Sequence, residues 1–282
     1  MSELQKVLKY FAMAFAAFLA FTIISGIVTA LFAVTGFFSF GNNTTSTAKV
    51  DSTYKYSNVR NIDIDHSTGN LFIKTGDSDE VIVETTNVTS QFTIKQKDNG
   101  DLYIHDDQEF FNVVGKIGHN KKIVVYLPED FVADKFDIDA GAGNIQIDNL
   151  NTNKLVLVAG FGNVEGDNIV ADSCTLESGV GNINLNDVNL TNVDIEGGVG
   201  NIKIYGDLYG KTNIESGVGN IKLVLNGDLE DYNITAEKGI GTIKVNGNSI
   251  NQMNNNKNAT NFMDLEGGIG NIDIIFENAS GF

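Results

Sequence analysis

The chain is short of several residue types, and each shortage removes a class of function. There is one proline in 282 residues. Proline deletes a ladder donor, so its near absence leaves long sheets uninterrupted. Cys174 is the sole cysteine. It cannot form an internal disulfide, and a single thiol does not identify a redox compartment. Arg60 is the sole arginine, and 19 basic residues face 36 acidic ones for a formal net charge of −17. A nucleic-acid partner needs a basic footprint, and none exists here. Solenoids that cleave acidic polysaccharides need cationic groups to hold carboxylates, and this chain has a single arginine. The three histidines, His66, His105 and His119, have no metal-ligand spacing. No Ser/His/Asp or Cys/His arrangement stands out, while acids are too plentiful for a glycosidase pair to be singled out. The chain is read as non-enzymatic, with no cofactor and no metal.

Glycine is abundant, and it is ordered. A seven-residue phrase reads GAGNIQI (141–147), GFGNVEG (160–166), GVGNINL (179–185), GVGNIKI (198–204), GVGNIKL (217–223), GIGTIKV (239–245) and GIGNIDI (268–274). The first four intervals are 19 residues and the last two are 22 and 29. A fixed period of this length marks a repeat architecture. Counting from the first glycine, offset 1 holds Ala142, Phe161, Val180, Val199, Val218, Ile240 and Ile269. Offsets 4 and 6 hold pairs such as Ile183 and Leu185, and offsets 14 and 16 pairs such as Val193 and Ile195. This period-two alternation predicts two short strands per coil, with branched aliphatics hidden. Cys174 falls in an inward file, as a buried inert thiol. One coil cannot offset the entropy of ordering its own backbone. Coils must therefore stack, with equivalent residues in files about 4.8 Å apart. The expected fold is all-β: a parallel β-solenoid, preceded by one N-terminal transmembrane helix.

Two polar files deserve naming as candidate sites. Offset 3 holds Asn144, Asn163, Asn182, Asn201, Asn220 and Asn271, with Thr242 as the exception. An asparagine ladder at the corner is the expected role. Two residues before each glycine pair stand Asp139, Glu177, Glu196, Glu215, Glu237 and Glu266, with Val158 as the exception. Parity turns this file outward, where stacked like charges repel. It is either a solvated acidic stripe screened by salt, or a surface that gathers a cation or a basic partner. Lys203, Lys222 and Lys244 form a second outward file. The phrase superficially matches a calcium-binding nonapeptide. However, Ile202 and Ile272 stand where an aspartate ligand is required, and an aliphatic side chain cannot hold calcium.

Along the chain, residues 1–9 are read as a cytoplasmic N-terminus and 10–40 as a transmembrane helix. Residues 10–40 carry no charge and exceed the ~20 residues needed to cross a bilayer. Lys6 and Lys9 precede the span, which puts the N-terminus inside and the remainder extracytoplasmic. Val28-Thr29-Ala30 resembles a signal-peptidase site, but the apolar run continues past it, so an uncleaved anchor fits better. Residues 41–50 read as a linker, 51–136 as irregular β coils, 137–276 as regular coils and 277–282 as a tail. Residues 107–121 read as a loop or cap, and 246–261 as an insertion before the last coil. Phe276 and Phe282 are expected to help cover the open end.

The run IVVYLPEDFVADKFDIDAGAGNIQI (123–147) combines a strand ending in Leu-Pro, an alternating strand and a glycine-flanked GN phrase. It resembles the bacterial β-solenoid family of proposed adhesins, a domain of unknown function related to the head GIN domain and to LiaG-like proteins. The resemblance covers roughly 55–276. It implies a Gram-positive envelope setting and carries over no catalytic residues. The function expected is a membrane-anchored surface interaction or envelope-associated module, with an envelope protein, peptide or glycan as partner. The alternative is a glycan-binding or glycan-acting solenoid. That would need an outward aromatic platform, and Tyr205, Tyr209 and Tyr232 share no file.

Overall fold

A computed structural model describes residues 50–88, 92–106, 121–249 and 259–277. Nine strands open the fold. These are β1 (Val50–Tyr56), β2 (Asn61–Thr68), β3 (Asn70–Thr75), β4 (Val81–Val88), β5 (Phe92–Gln96), β6 (Asp101–Asp106), β7 (Lys122–Leu127), β8 (Val132–Ala133) and β9 (Lys135–Ala142). Four strands of 17 residues follow: β10 (Ile145–Phe161), β11 (Val164–Val180), β12 (Ile183–Val199) and β13 (Ile202–Val218). The chain closes with β14 (Ile221–Asn226), β15 (Tyr232–Ile240), β16 (Ile243–Val245), β17 (Asn248–Ser249), β18 (Asn261–Ile269) and β19 (Ile272–Glu277). All of these strands join one hydrogen-bonded sheet that winds into coils.

The long strands bend rather than run straight. In β12 the buried residues are Ile183, Leu185, Val188, Leu190, Val193 and Ile195. Steps of two are interrupted twice by steps of three, and each extra residue makes a corner. Asp187 and Asn192 sit there with φ of 50°, the left-handed region that short polar side chains tolerate. Each regular coil therefore has three inward flats joined in one continuous bent strand. The expectation of two short strands is corrected. The middle flat (Leu150 and Thr152, Ile169 and Ala171, Val188 and Leu190) was hidden because the corners shift the alternation out of phase. Its Thr and Ala also dilute the apolar signal.

Between β10 and β13, equivalent residues lie in parallel register, 19 apart except on the middle flat of β12 and β13, where Val188 to Thr191 pair with Gly206 to Tyr209 at 18; Ile183, Ile202 and Ile221 are successive partners. At the two ends the stacking order departs from the chain order. β18 pairs with β13 on one side and β15 on the other, and β19 lies likewise between β14 and β16. The seventh phrase is thus inserted between the fifth and the sixth. The outermost C-terminal coil is 232–245, not the last one. Phe276 is buried against the Tyr232 ring, centroids 5.0 Å apart. Phe282 lies outside the described residues.

The N-terminal side repeats the device. β2 lies between β6 and β9, and β3 between β7 and β10. The irregular region 51–136 thereby continues the same sheet. Antiparallel strands then finish it: β5 on β6, β4 on β7, and β1 on β4. No helix among the described residues is long and apolar enough to cross a membrane. Residues 10–40, read as a span, lie outside the described residues, as do the loop at 107–120 and the tail from 278.

Candidate functional site: the glycine corner

The interior narrows where each coil approaches its glycine pair. In the coils between Ala140 and Gly267 the last inward position is Ala140, Ala159, Ser178, Gly197, Ser216 or Gly267, while in the outermost C-terminal coil the partner of Gly267 is the exposed Lys238. A Cβ on Gly197 would stand 2.9 Å from Ile202 Cδ1. With no room left inside, the backbone turns one residue early. The next apolar side chain, at offset 1, is thrown outward.

This corrects the expectation that all branched aliphatics are hidden. Phe161 and Ile240 are 58% and 66% exposed, and Val180, Val199, Val218 and Ile269 lie between 36% and 45%. Register joins them into one file, in the order Ala142, Phe161, Val180, Val199, Val218, Ile269 and Ile240. Five steps from Phe161 to Ile240 at about 4.8 Å make a stripe about 24 Å long. Glycine on each side of every member leaves bare backbone flanking the stripe. The signal was present in the sequence, because offset 1 is apolar in every copy and always lies between two glycines.

The acidic file runs alongside. Glu177, Glu196, Glu215, Glu266 and Glu237 are successive register partners, and all are exposed. No ion pair engages Glu177, Glu196, Glu215 or Glu266 among the described residues. Asp194 and Asp264 add charge on the same flat. Burial first, then the charges of Glu266, Glu196, Asp194 and Asp264, push the Glu215 carboxyl above the ordinary glutamate range. Glu215 therefore holds its negative charge against resistance, which a cationic partner would relieve.

On the other flank runs the asparagine file. Asn163, Asn182, Asn201 and Asn220 each donate their backbone N–H to the side-chain oxygen of the preceding asparagine at 2.9–3.0 Å. The series starts earlier than the regular coils, since Asn144 N–H donates to Asn70 Oδ1 at 3.1 Å. Asn271 N–H donates to Asn220 Oδ1, and Thr242 N–H and Oγ1 both donate to Asn271 Oδ1. Thr242 stands in the outermost coil, where no further coil of the described chain asks for an amide acceptor. The inserted coil also settles the lysine file, because Asp273 falls between Lys222 and Lys244.

Other candidates are arranged differently. Tyr232 is buried, its hydroxyl donating to the Leu208 carbonyl at 3.2 Å; Tyr205 is half-buried and Tyr209 exposed. Cys174 is buried, and burial pushes its thiol up to about 12. His105 Nε2 lies 3.5 Å from Asp63 Oδ1. His66 is enclosed at the N-terminal end, and His119 lies outside the described residues. No group of three or more possible metal ligands occurs among the described residues.

A family model described as Toastrack DUF4097 matches residues 59–261. No curated protein matches the chain. Among solved structures, a proposed cell adhesion protein from Clostridium sporogenes is 17% identical. The match covers 82% of this chain and 100% of that one, with a TM-score of 0.33. A proposed adhesin from Bacteroides fragilis is 18% identical over 81% of this chain and 98% of that one, TM-score 0.43. A proposed lipid binding protein from Parabacteroides distasonis is 13% identical over 84% and 96%, TM-score 0.42.

Proposed function

The chain belongs to the Toastrack DUF4097 family, and from that premise we propose that it is a membrane-anchored surface interaction module of the cell envelope, working by binding and not by catalysis. Residues 10–40 serve as the single-pass anchor, with the N-terminus cytoplasmic and the solenoid outside. The contact surface is the glycine corner. One observation carries this reading: an unbroken outward apolar stripe runs parallel to a file of five glutamates. Isolated exposed apolar residues need no explanation, but a contiguous row rimmed by charge marks a contact site. Charge complementarity then selects a partner that is basic and carries apolar side chains of its own. Helical rows repeat about every 5.4 Å, close to the coil spacing, so an amphipathic basic helix can lie along the corner.

The test uses the full-length chain in detergent, immobilised and exposed to envelope extract. It is compared with the double variant Val199→Asn/Val218→Asn and with Glu196→Gln/Glu215→Gln. Both pairs point outward, so both variants should stay folded, the valine pair melting close to wild type and the glutamate pair no lower than it. Partners held by the wild type should be lost from the first variant, and lost from the second more readily as salt is raised. Retention of the same partners by both variants would refute the assignment. Alkaline extraction of membranes tests the anchor, since a spanning helix stays with the pellet.

A further inference from the structure

The narrow inward file beside the glycine corner holds Ala, Ser or Gly in the regular coils. At the N-terminal end of the same file stand His66 and Asp106, as the registers Asp106 to His66 and His66 to Ala140 show. Each is 1% exposed. Lys121, immediately before β7, turns inward to meet them and is 6% exposed. Its Nζ contacts Asp106 Oδ2. Ser67 Oγ donates to the same oxygen at 3.2 Å. His66 Nδ1 lies 3.4 Å from it, without hydrogen-bond alignment. Asp106 Oδ1 and both ring nitrogens of His66 have no hydrogen-bond partner among the described residues.

Full charges enclosed this way pay a desolvation penalty that their attraction repays only when every remaining lone pair is satisfied. Here it is not. Burial pushes the Asp106 carboxyl up, and His66 and Lys121 pull it below the usual range. A lysine amine and a carboxyl held in contact, away from water, beside an imidazole, are the reactants of an amide condensation. Fixed contact replaces a bimolecular encounter.

We propose that Lys121 and Asp106 are joined by an intramolecular isopeptide bond that the folded chain forms by itself. The ammonium passes one proton to Asp106 Oδ2, leaving a free amine and a neutral acid. Nζ attacks Cγ, and His66 carries a second proton from nitrogen to Oδ2. The Cγ–Oδ2 bond breaks and that oxygen leaves as water. Oδ1 becomes the amide carbonyl and Nζ keeps one hydrogen. Two buried charges disappear, and no oxidant or co-reactant is consumed. The bond closes residues 106–121 into a ring and ties β6 to β7 in the outermost parallel coil at the N-terminal end of the stack.

Mass spectrometry of the full-length chain tests this. The denatured wild type should be lighter than its sequence by one water. Lys121→Arg and Asp106→Ala should each show their full sequence mass. Trypsin should fail to cut after Lys121, and the peptide containing it should be recovered branched to the peptide containing Asp106. His66→Ala should give a mixture in which the linked fraction grows slowly on incubation. A wild-type chain at full mass, with an unbranched peptide ending at Lys121, would overturn the proposal even if the variants fail to fold. Complete linkage in His66→Ala, as fast as in wild type, would remove His66 from the mechanism.

Discussion

Replacing Gly200 by alanine should come close to unfolding the solenoid, and the size of the effect follows from the corner's geometry. Gly200 has φ of +151°, and an added Cβ would stand 1.8 Å from the Gly181 carbonyl oxygen and 2.6 Å from its carbon. Carbon–oxygen contacts between strands settle at about 3.3–3.6 Å, so neighbouring coils must part by about 1.5 Å. That distance breaks the bonds alongside: Gly181 N–H to Val199 O, Ile183 N–H to Asn201 O, and Asn201 N–H to Asn182 Oδ1, each 2.9 Å. At about 1 kcal/mol net apiece they sum to about 3 kcal/mol. A strained backbone adds about 1–3 kcal/mol. A loss of roughly 4–6 kcal/mol is a large share of a typical total of about 5–15. Gly247 is the control, because it also has positive φ, at +77°, with nothing within 4 Å of an added Cβ. Alanine there should cost only about 1–2 kcal/mol. Denaturant unfolding of the full-length chain in detergent, followed by circular dichroism, measures both. If Gly200→Ala and Gly247→Ala agree within 1 kcal/mol, the close-stacked corner does not hold the coils together as argued.

The raised Glu215 carboxyl means that its ionised form is disfavoured in the folded state. Stability from this group is therefore full below the ordinary glutamate pKa of about 4.3 and is lost as pH rises through the higher folded value. Glu215→Gln should melt above wild type at neutral pH, with the gap closing as the solution is acidified below that range; a variant that melts lower at neutral pH contradicts the repulsion. Cys174, buried with its thiol pushed up to about 12, should resist thiol reagents at pH 8 and react once the chain is denatured. Prompt labelling of the native protein would show that the file containing it is open.

Much of the architecture was readable because a solenoid writes its register into sequence. Ile183, Ile202 and Ile221 recur every 19 residues because they touch one another. Asn163 and Asn182 recur because one side chain accepts from the next backbone. The middle flat escaped because Asp187 and Asn192 each insert a residue that breaks parity. The outward turn of Val180 and its partners escaped for a related reason. Alternation says inward, and only the closing space around residues such as Gly197 and Ser178 says otherwise. The Lys121, Asp106 and His66 cluster left no trace in local pattern, since it joins residues up to 55 positions apart. The swapped order of the last two coils has one faint mark, Thr242, which ends the amide series in the coil that lies outermost.

That swap bears on how the chain is made. A ribosome delivers residues 232–245 before 261–277, yet among the described residues the parallel partners of the earlier segment come from the later one, with β15 on β18 and β16 on β19. During synthesis the first to emerge has no docked neighbour and must wait. The stack cannot simply lengthen coil by coil in step with translation; its final turn is completed by threading a late strand pair into a reserved gap. A chain cut short after residue 245 would lose two turns of sheet, not one.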